Sequence, residues 1–268
     1  RYIIQEKINK EFLEKKHKYE GPTLEADERL KMSWYKGDGG IPYDIRYSLG
    51  RMTNAKWITK GSTNLKVSMD SLAKLNQAFI EFLNRTKMTH VTGYYPRLDP
   101  SILSVNNKSA LLLWYEYEAF LDVISHGHAL IPSNQQFYYD RISQSFEPVF
   151  YDTNVHIRGK MLEMADIPAH FRKYSFLGAR TLVNRFKTIS AETLWSELKR
   201  RNTKFTLAEI QTSLDNIKSN LILLASQPIN NNNQDAVDKS QDFFGNYPED
   251  YNQNKKLVYS VSDGTHMA

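Results

Sequence analysis

The stretch that most constrains this chain is residues 123–155, VISHGHALIPSNQQFYYDRISQSFEPVFYDTNV. Helical periodicity ahead of it stops near His126, and a polar loop carrying His128 and Asn134 follows. Residues 136–139 and 146–151 are then two aromatic-rich runs separated by a polar turn over 140–145, which predicts a β-hairpin ending at Asp152. Such a hairpin has an Asn at its entry and an Asp at its exit. In phosphotransferases an Asn of the catalytic loop and an Asp past the next hairpin hold the magnesium that bridges the nucleotide phosphates. The same spacing also fits a surface hairpin whose second strand merely ends in an Asp.

What surrounds the stretch is ordinary globular sequence. At 268 residues, 41% hydrophobic and 12% aromatic, the chain can bury a substantial core. No run of about eighteen apolar residues occurs, so no membrane span is expected. The most apolar segment, residues 110–124, is interrupted by Glu116, Glu118 and Asp122 and reads as a buried amphipathic helix. A net charge of +5 and a pI near 9.1 suit anionic ligands such as nucleotide phosphates. They also fit weak nucleic-acid affinity, but no RNP, helix-turn-helix or finger pattern accompanies them, so a nucleic-acid partner is disfavoured. Cysteine is absent, which excludes disulfides, thiolate nucleophiles and cysteine zinc sites. His126, His128 and His156 invite a zinc reading, yet three histidines without a carboxylate or thiolate at short helical spacing argue weakly for one.

Taken in order, residues 2–5 read as a short strand and 7–18 as a charged helix, with Glu6 at their junction. A short helix over 24–32, a strand over 33–36 and the glycine turn 37–40 come next, then a polar, irregular tract over 41–64. Residues 67–84 form the first strong helix, with Ser68 or Asp70 able to cap it. Asp99-Pro100 starts a short helix, and 109–125 is a long one whose stripe of Leu112, Leu113, Tyr117, Phe120, Leu121 and Ile124 is core packing. Beyond the hairpin, helices are expected over 162–174, 191–201 and 207–225, with Ser190 and Thr206 as caps and 175–188 also able to be helical. Residues 1–228 are read as one domain. Residues 229–268 are read as a polar linker and tail that opens on an Asn-rich tract, and the final GTHMA resembles a cloning scar. The Asp242-Phe243-Phe244-Gly245 run in that tail is not taken as a kinase DFG, because no catalytic loop precedes it.

HAL, NQQFYYD and SFEPVFYD resemble the core of the CotH family, the spore-coat protein kinase-like fold. The opening YIIQEKINKEFLEKK is similar to that family's strand-to-helix segment, and YKGDG to a segment that follows it. The likeness covers roughly residues 1–180 and is firmest at those places. It implies an α+β, atypical protein kinase-like fold: a small, partial β lobe, a mainly helical lobe and a β-hairpin at the site. It further implies ATP and Mg2+ or Mn2+ as cofactors, and a protein partner whose Ser or Thr hydroxyl accepts the γ-phosphoryl group. Asn134 and Asp152 would be the metal ligands, and with Glu6 the nucleotide-binding residues. Glu6 would pair with the lysine that holds the α- and β-phosphates. It is otherwise an exposed carboxylate at a strand end. The family's preceding glycine-bearing strands and that lysine are not in this sequence, so the chain is expected to be a fragment. A spore or cell-surface setting is the only pointer to compartment.

The departure concerns the catalytic base. A kinase loop carries an Asp beside its His, whereas here the nearest carboxylate is Asp122 on the preceding helix. Asp122 is either a displaced base or a solvated side chain of the last helical turn. His126 is a conceivable base near neutral pH, and His128 is the expected loop pivot. Loss of the loop Asp keeps a second hypothesis open: a non-catalytic nucleotide-binding or assembly protein on the same fold.

Overall fold

The computed structural model describes residues 8, 10–27, 49–86, 98–104, 107–124, 128–130, 132–151 and 172–227. The described part is mixed α and β, mostly helical, with a small antiparallel sheet. The sheet has four strands in the order β2-β1-β3-β4, where β1 is Thr23–Ala26, β2 Gly50–Met52, β3 Gln136–Asp140 and β4 Ser145–Val149. The helices are α1 (Lys10–Lys15), α2 (Ala55–Ile58), α3 (Ser62–Thr86), α4 (Pro100–Leu103), α5 (Lys108–Ile124), α6 (Arg172–Lys187), α7 (Ala191–Arg200) and α8 (Leu207–Ala225). Two 3₁₀ turns, His128–Leu130 and Pro132–Asn134, lead from α5 to β3.

One helix organises the interior. The first core packs Leu24 and Ala26 of β1, Leu75, Phe79 and Phe82 of α3, and Phe137, Tyr139 and Phe146 of the β3–β4 hairpin around Trp114 of α5. A second core packs Leu121, Val123 and Ile124 of the same α5 against Ala129 and Leu130, Phe176 and Leu182 of α6, and Leu221 and Leu224 of α8. Tyr117, midway along α5, touches both. The β3 alternation explains the sheet face: Phe137 and Tyr139 enter the first core, while Tyr138 turns the other way and donates its hydroxyl to the Tyr19 carbonyl at 2.7 Å.

Local signals account for several element ends. Asp99 caps α4, its carboxylate accepting from Ser101 N at 2.9 Å, with Pro100 at the first helical position. Asn107 accepts from Ala110 N at 3.1 Å and donates to Ser145 Oγ at 3.1 Å, so one amide fixes both the start of α5 and the hairpin. Ser190 caps α7, and Thr206 with Glu209 forms a capping box at the start of α8.

Several expectations are corrected. Residues 24–27 are not helical: Thr23–Ala26 is an interior strand that pairs with both β2 and β3. Leu24 and Ala26 are buried in the core between those partners, and the pairing overrides local propensity. The tract 41–64 is not irregular where it is described, because it holds β2, α2 and the start of α3. The strong helix begins at Ser62, so Ser68 and Asp70 lie inside it and neither caps it; Ser68 is buried. The charged helix is shorter than 7–18, and the second hairpin strand ends at Val149. Leu112 is exposed and does not join the α5 stripe. The helix placed over 175–188 is real and starts at Arg172, while 162–171 lie outside the described residues, as do 2–5, 33–40 and 229–268. Among the described residues, no helix is long and apolar enough to cross a membrane.

Candidate functional site

The β3–β4 hairpin is built by a tight turn. Asp140 closes it, one carboxylate oxygen accepting from Ile142 N at 2.9 Å and the other from Ser143 Oγ at 3.0 Å. Gln144 takes the left-handed conformation the turn needs (φ 53°). The register pairs Asp140 with Ser145 at the turn and Gln136 with Val149 at the open end. Entry and exit therefore lie side by side. Asn134 precedes the entry by two residues, and Asp152 follows the exit by three.

Helix α5 holds the hairpin near its turn and at its open end. The Trp114 indole N–H donates to the Phe146 carbonyl at 2.7 Å, and the Tyr117 hydroxyl donates to the Val149 carbonyl at 3.1 Å. Burial pushes the Tyr117 hydroxyl pKa well above its ordinary value, with a further push from the Glu118 carboxylate, so the phenol stays a donor at any physiological pH. Lys18 clamps the outer strand through Glu147 at 2.6 Å, and Lys74 reaches Tyr139 Oη at 2.8 Å and Gln144 at 3.2 Å.

Asn134 is buried at the end of the second 3₁₀ turn. Its neighbour Gln135 is also buried, and among the described residues Gln135 Oε1 has no hydrogen-bond partner, while Gln135 Nε2 makes a long 3.5 Å contact to the Leu130 carbonyl. An unsatisfied buried amide oxygen beside a candidate ligand is costly unless something fills its coordination. It is a hard oxygen donor, the type that Mg2+ or Mn2+ accepts, so the donors of this loop suit such an ion. Spacing alone does not single out Gln135; the run of amides in PSNQQ is the signal that could have found it.

Not every site residue is brought together. Asp152, His126, His156 and Glu6 lie outside the described residues. The backbone of His128 opens the first 3₁₀ turn. Asp122 is neither loop-borne nor solvated: it is 3% exposed on α5, and Ser175 Oγ of α6 donates to it at 2.5 Å. The other two acids of α5 are buried too. Arg185 reaches Glu116 at 2.7 Å, and burial raises the Glu116 pKa while that guanidinium partly offsets the rise. The expected polar face of this helix is thus an interior one. Among the described residues, no three His, Asp or Glu cluster as a metal site.

A shallow groove of about 300 Å³ flanks the hairpin exit, lined by Leu113, Tyr117, Phe120, Pro148, Phe150 and Phe186 with Glu116 beside them. Its apolar walls and its carboxylate do not suit phosphates. Comparison of the chain with protein-family models, with curated proteins and with solved structures returned no match.

Proposed function

We propose that this chain is a CotH-like atypical kinase, transferring the γ-phosphoryl group of ATP to Ser or Thr hydroxyls of a protein partner. The observation that carries the reading is the hairpin register, Gln136 opposite Val149, which puts the approach from Asn134 and the departure toward Asp152 at one end of one ribbon. Asn134 and Asp152 would hold a Mg2+ or Mn2+, whose charge would neutralise the nucleotide phosphates. Gln135 Oε1, buried and without a partner among the described residues, is a further hard oxygen donor in the same loop.

The chain's own contribution is positioning. Trp114 and Tyr117 lock the hairpin to α5, and the second 3₁₀ turn, which carries Asn134, leads straight into β3. Little reorganisation would remain when substrate binds, which is how an electrostatic site lowers a barrier. In the transfer, a partner hydroxyl oxygen forms the new bond to the γ-phosphorus and the bond to ADP breaks. The hydroxyl proton passes to a base, for which His126 is the candidate on this chain.

The second reading is a non-catalytic nucleotide-binding or assembly protein of the same fold. The burial of Asp122 beneath Ser175 favours it, since that carboxylate cannot meet a substrate hydroxyl without α5 and α6 parting. Titration calorimetry of the full chain with ATP and Mg2+ tests both. Kinase and non-catalytic readings alike expect binding that Asp152→Ala abolishes. Only the kinase reading expects radiolabel to reach a protein acceptor, with Mg2+ or Mn2+. Unchanged affinity in Asp152→Ala would sink the site itself.

A further inference from the structure

Helix α7 is strongly amphipathic, and its apolar face is only partly covered. Ala191, Leu194, Trp195 and Leu198 recur at helical spacing along one face, yet Ala191 alone is buried. Leu194 is 36% exposed, and Phe205, in the loop to α8, is 57% exposed. Trp195 and Phe205 share one corner, the indole N–H donating to the Phe205 carbonyl at 3.1 Å. Around that corner Lys199, Arg200, Arg201 and Lys204 are all exposed. Lys199 Nζ sits 4.7 Å from the Trp195 ring centre, and among the described residues Arg200 is the one member of this rim in an ion pair, with Glu197. An apolar patch rimmed by like charges marks a contact surface, with Trp and Arg as its typical anchors.

We propose that this corner is the docking site for the chain's own segment 242–251, DFFGNYPEDY. The segment carries Asp242, Glu249 and Asp250 with no Lys or Arg, and four aromatics, Phe243, Phe244, Tyr247 and Tyr251. Its charge complements the basic rim, and its rings suit the Leu194–Trp195–Phe205 patch. The tether is long enough. Helix α8 runs antiparallel to α7, with Lys218 Nζ donating to the Ile189 carbonyl at 3.1 Å, so the end of α8 lies away from the corner. The nineteen residues of α8 measure about 28 Å. The fourteen residues 228–241 can span up to about 46 Å. Linkage in one chain makes the encounter intramolecular, so a patch too weak to hold a free peptide can hold this one.

The chain's lack of cysteine supplies a clean test. Ser196→Cys, an exposed position beside Trp195, and Asn246→Cys are introduced together in the full chain, and the rate of intramolecular disulfide formation is followed by intact mass at dilute protein. Charge reversal at Lys199, Arg201 and Lys204 to Glu is expected to slow ring closure at least tenfold, as is Phe243→Ala with Phe244→Ala. Salt at 1 M (about a 3 Å screening length) is expected to slow the parent pair as well. Rates indifferent to both sets of substitutions overturn the proposal. So does a covalent dimer whose yield rises with concentration, which assigns the patch to a second copy. In the Ser196→Cys single variant, protection of the introduced thiol from labelling only when a single-stranded oligonucleotide is added assigns the patch to nucleic acid and likewise overturns the proposal. All substituted positions of the corner are exposed, so loss of fold, checked by circular dichroism, does not confound the result.

Discussion

The Trp114 indole N–H donates to the Phe146 carbonyl at 2.7 Å, joining the central helix to the outer strand of the hairpin. Trp114 is 1% exposed, with its ring centre 5.9 Å from that of Phe137 and 5.9 Å from that of Tyr117. Trp114→Phe keeps an aromatic ring but leaves a buried carbonyl without its donor. We expect a loss of about 1–3 kcal/mol in urea denaturation. Trp114→Ala also opens a cavity, and the expected loss rises to about 3–5 kcal/mol. If the hairpin frames a nucleotide site, Trp114→Phe should weaken ATP affinity although no substrate touches it.

Gly178 is where α6 meets α5. A Cβ there would stand 1.8 Å from the Tyr115 carbonyl oxygen and 2.6 Å from Glu116 N, both backbone atoms that cannot rotate aside. Ordinarily Gly→Ala within a helix stabilises, by roughly 0.5–1 kcal/mol. Here the close approach reverses the sign. Gly178→Ala should cost about 3 kcal/mol or more by overpacking and should strain both the Ser175–Asp122 and Arg185–Glu116 contacts. A thermal midpoint equal to or above that of the parent chain would refute this close helix contact.

Glu116 makes stability fall as pH rises. Burial lifts its folded pKa above the ordinary carboxylate value of 4.5, with Arg185 opposing the lift. The folded state therefore binds the proton more tightly than the unfolded state does. Its relative contribution is fully present below pH 4.5 and is lost as pH climbs through the raised folded value. Glu209 has the opposite sign. Hydrogen bonds from the Thr206 backbone and hydroxyl lower its pKa, so its contribution is present above the ordinary value and is lost as pH falls through the folded one. Chemical denaturation at several pH values should show Glu116→Gln gaining on the parent chain between acid and neutral pH. Glu209→Gln should lose to it over the same rise.

How much of this is legible without the structure differs by element. The caps Asp99, Ser190 and Thr206 are readable because a cap is a contact between residues two or three apart. The hairpin is readable for the same reason: its turn residues, Asp140 above all, bond their own near neighbours. The acids of α5 defeat such a reading because periodicity tells how often a polar residue recurs, not what packs against it. Arg185 and Ser175, which receive Glu116 and Asp122, arrive from a helix more than fifty positions later.

The sequence by itself determined where helices α4, α5, α7 and α8 lie and where the chain reverses in the hairpin, because the hydrogen bonds that settle those features close within a few residues. Only the tertiary structure decided that Thr23–Ala26 is a strand, that Glu116 and Glu118 of α5 are buried and that Asp122 is sealed from solvent. Strand β1 shows the physical reason. Its backbone groups have no local partners and are satisfied by Gly50–Met52 on one side and by Gln136–Tyr138 on the other, the latter more than a hundred residues away.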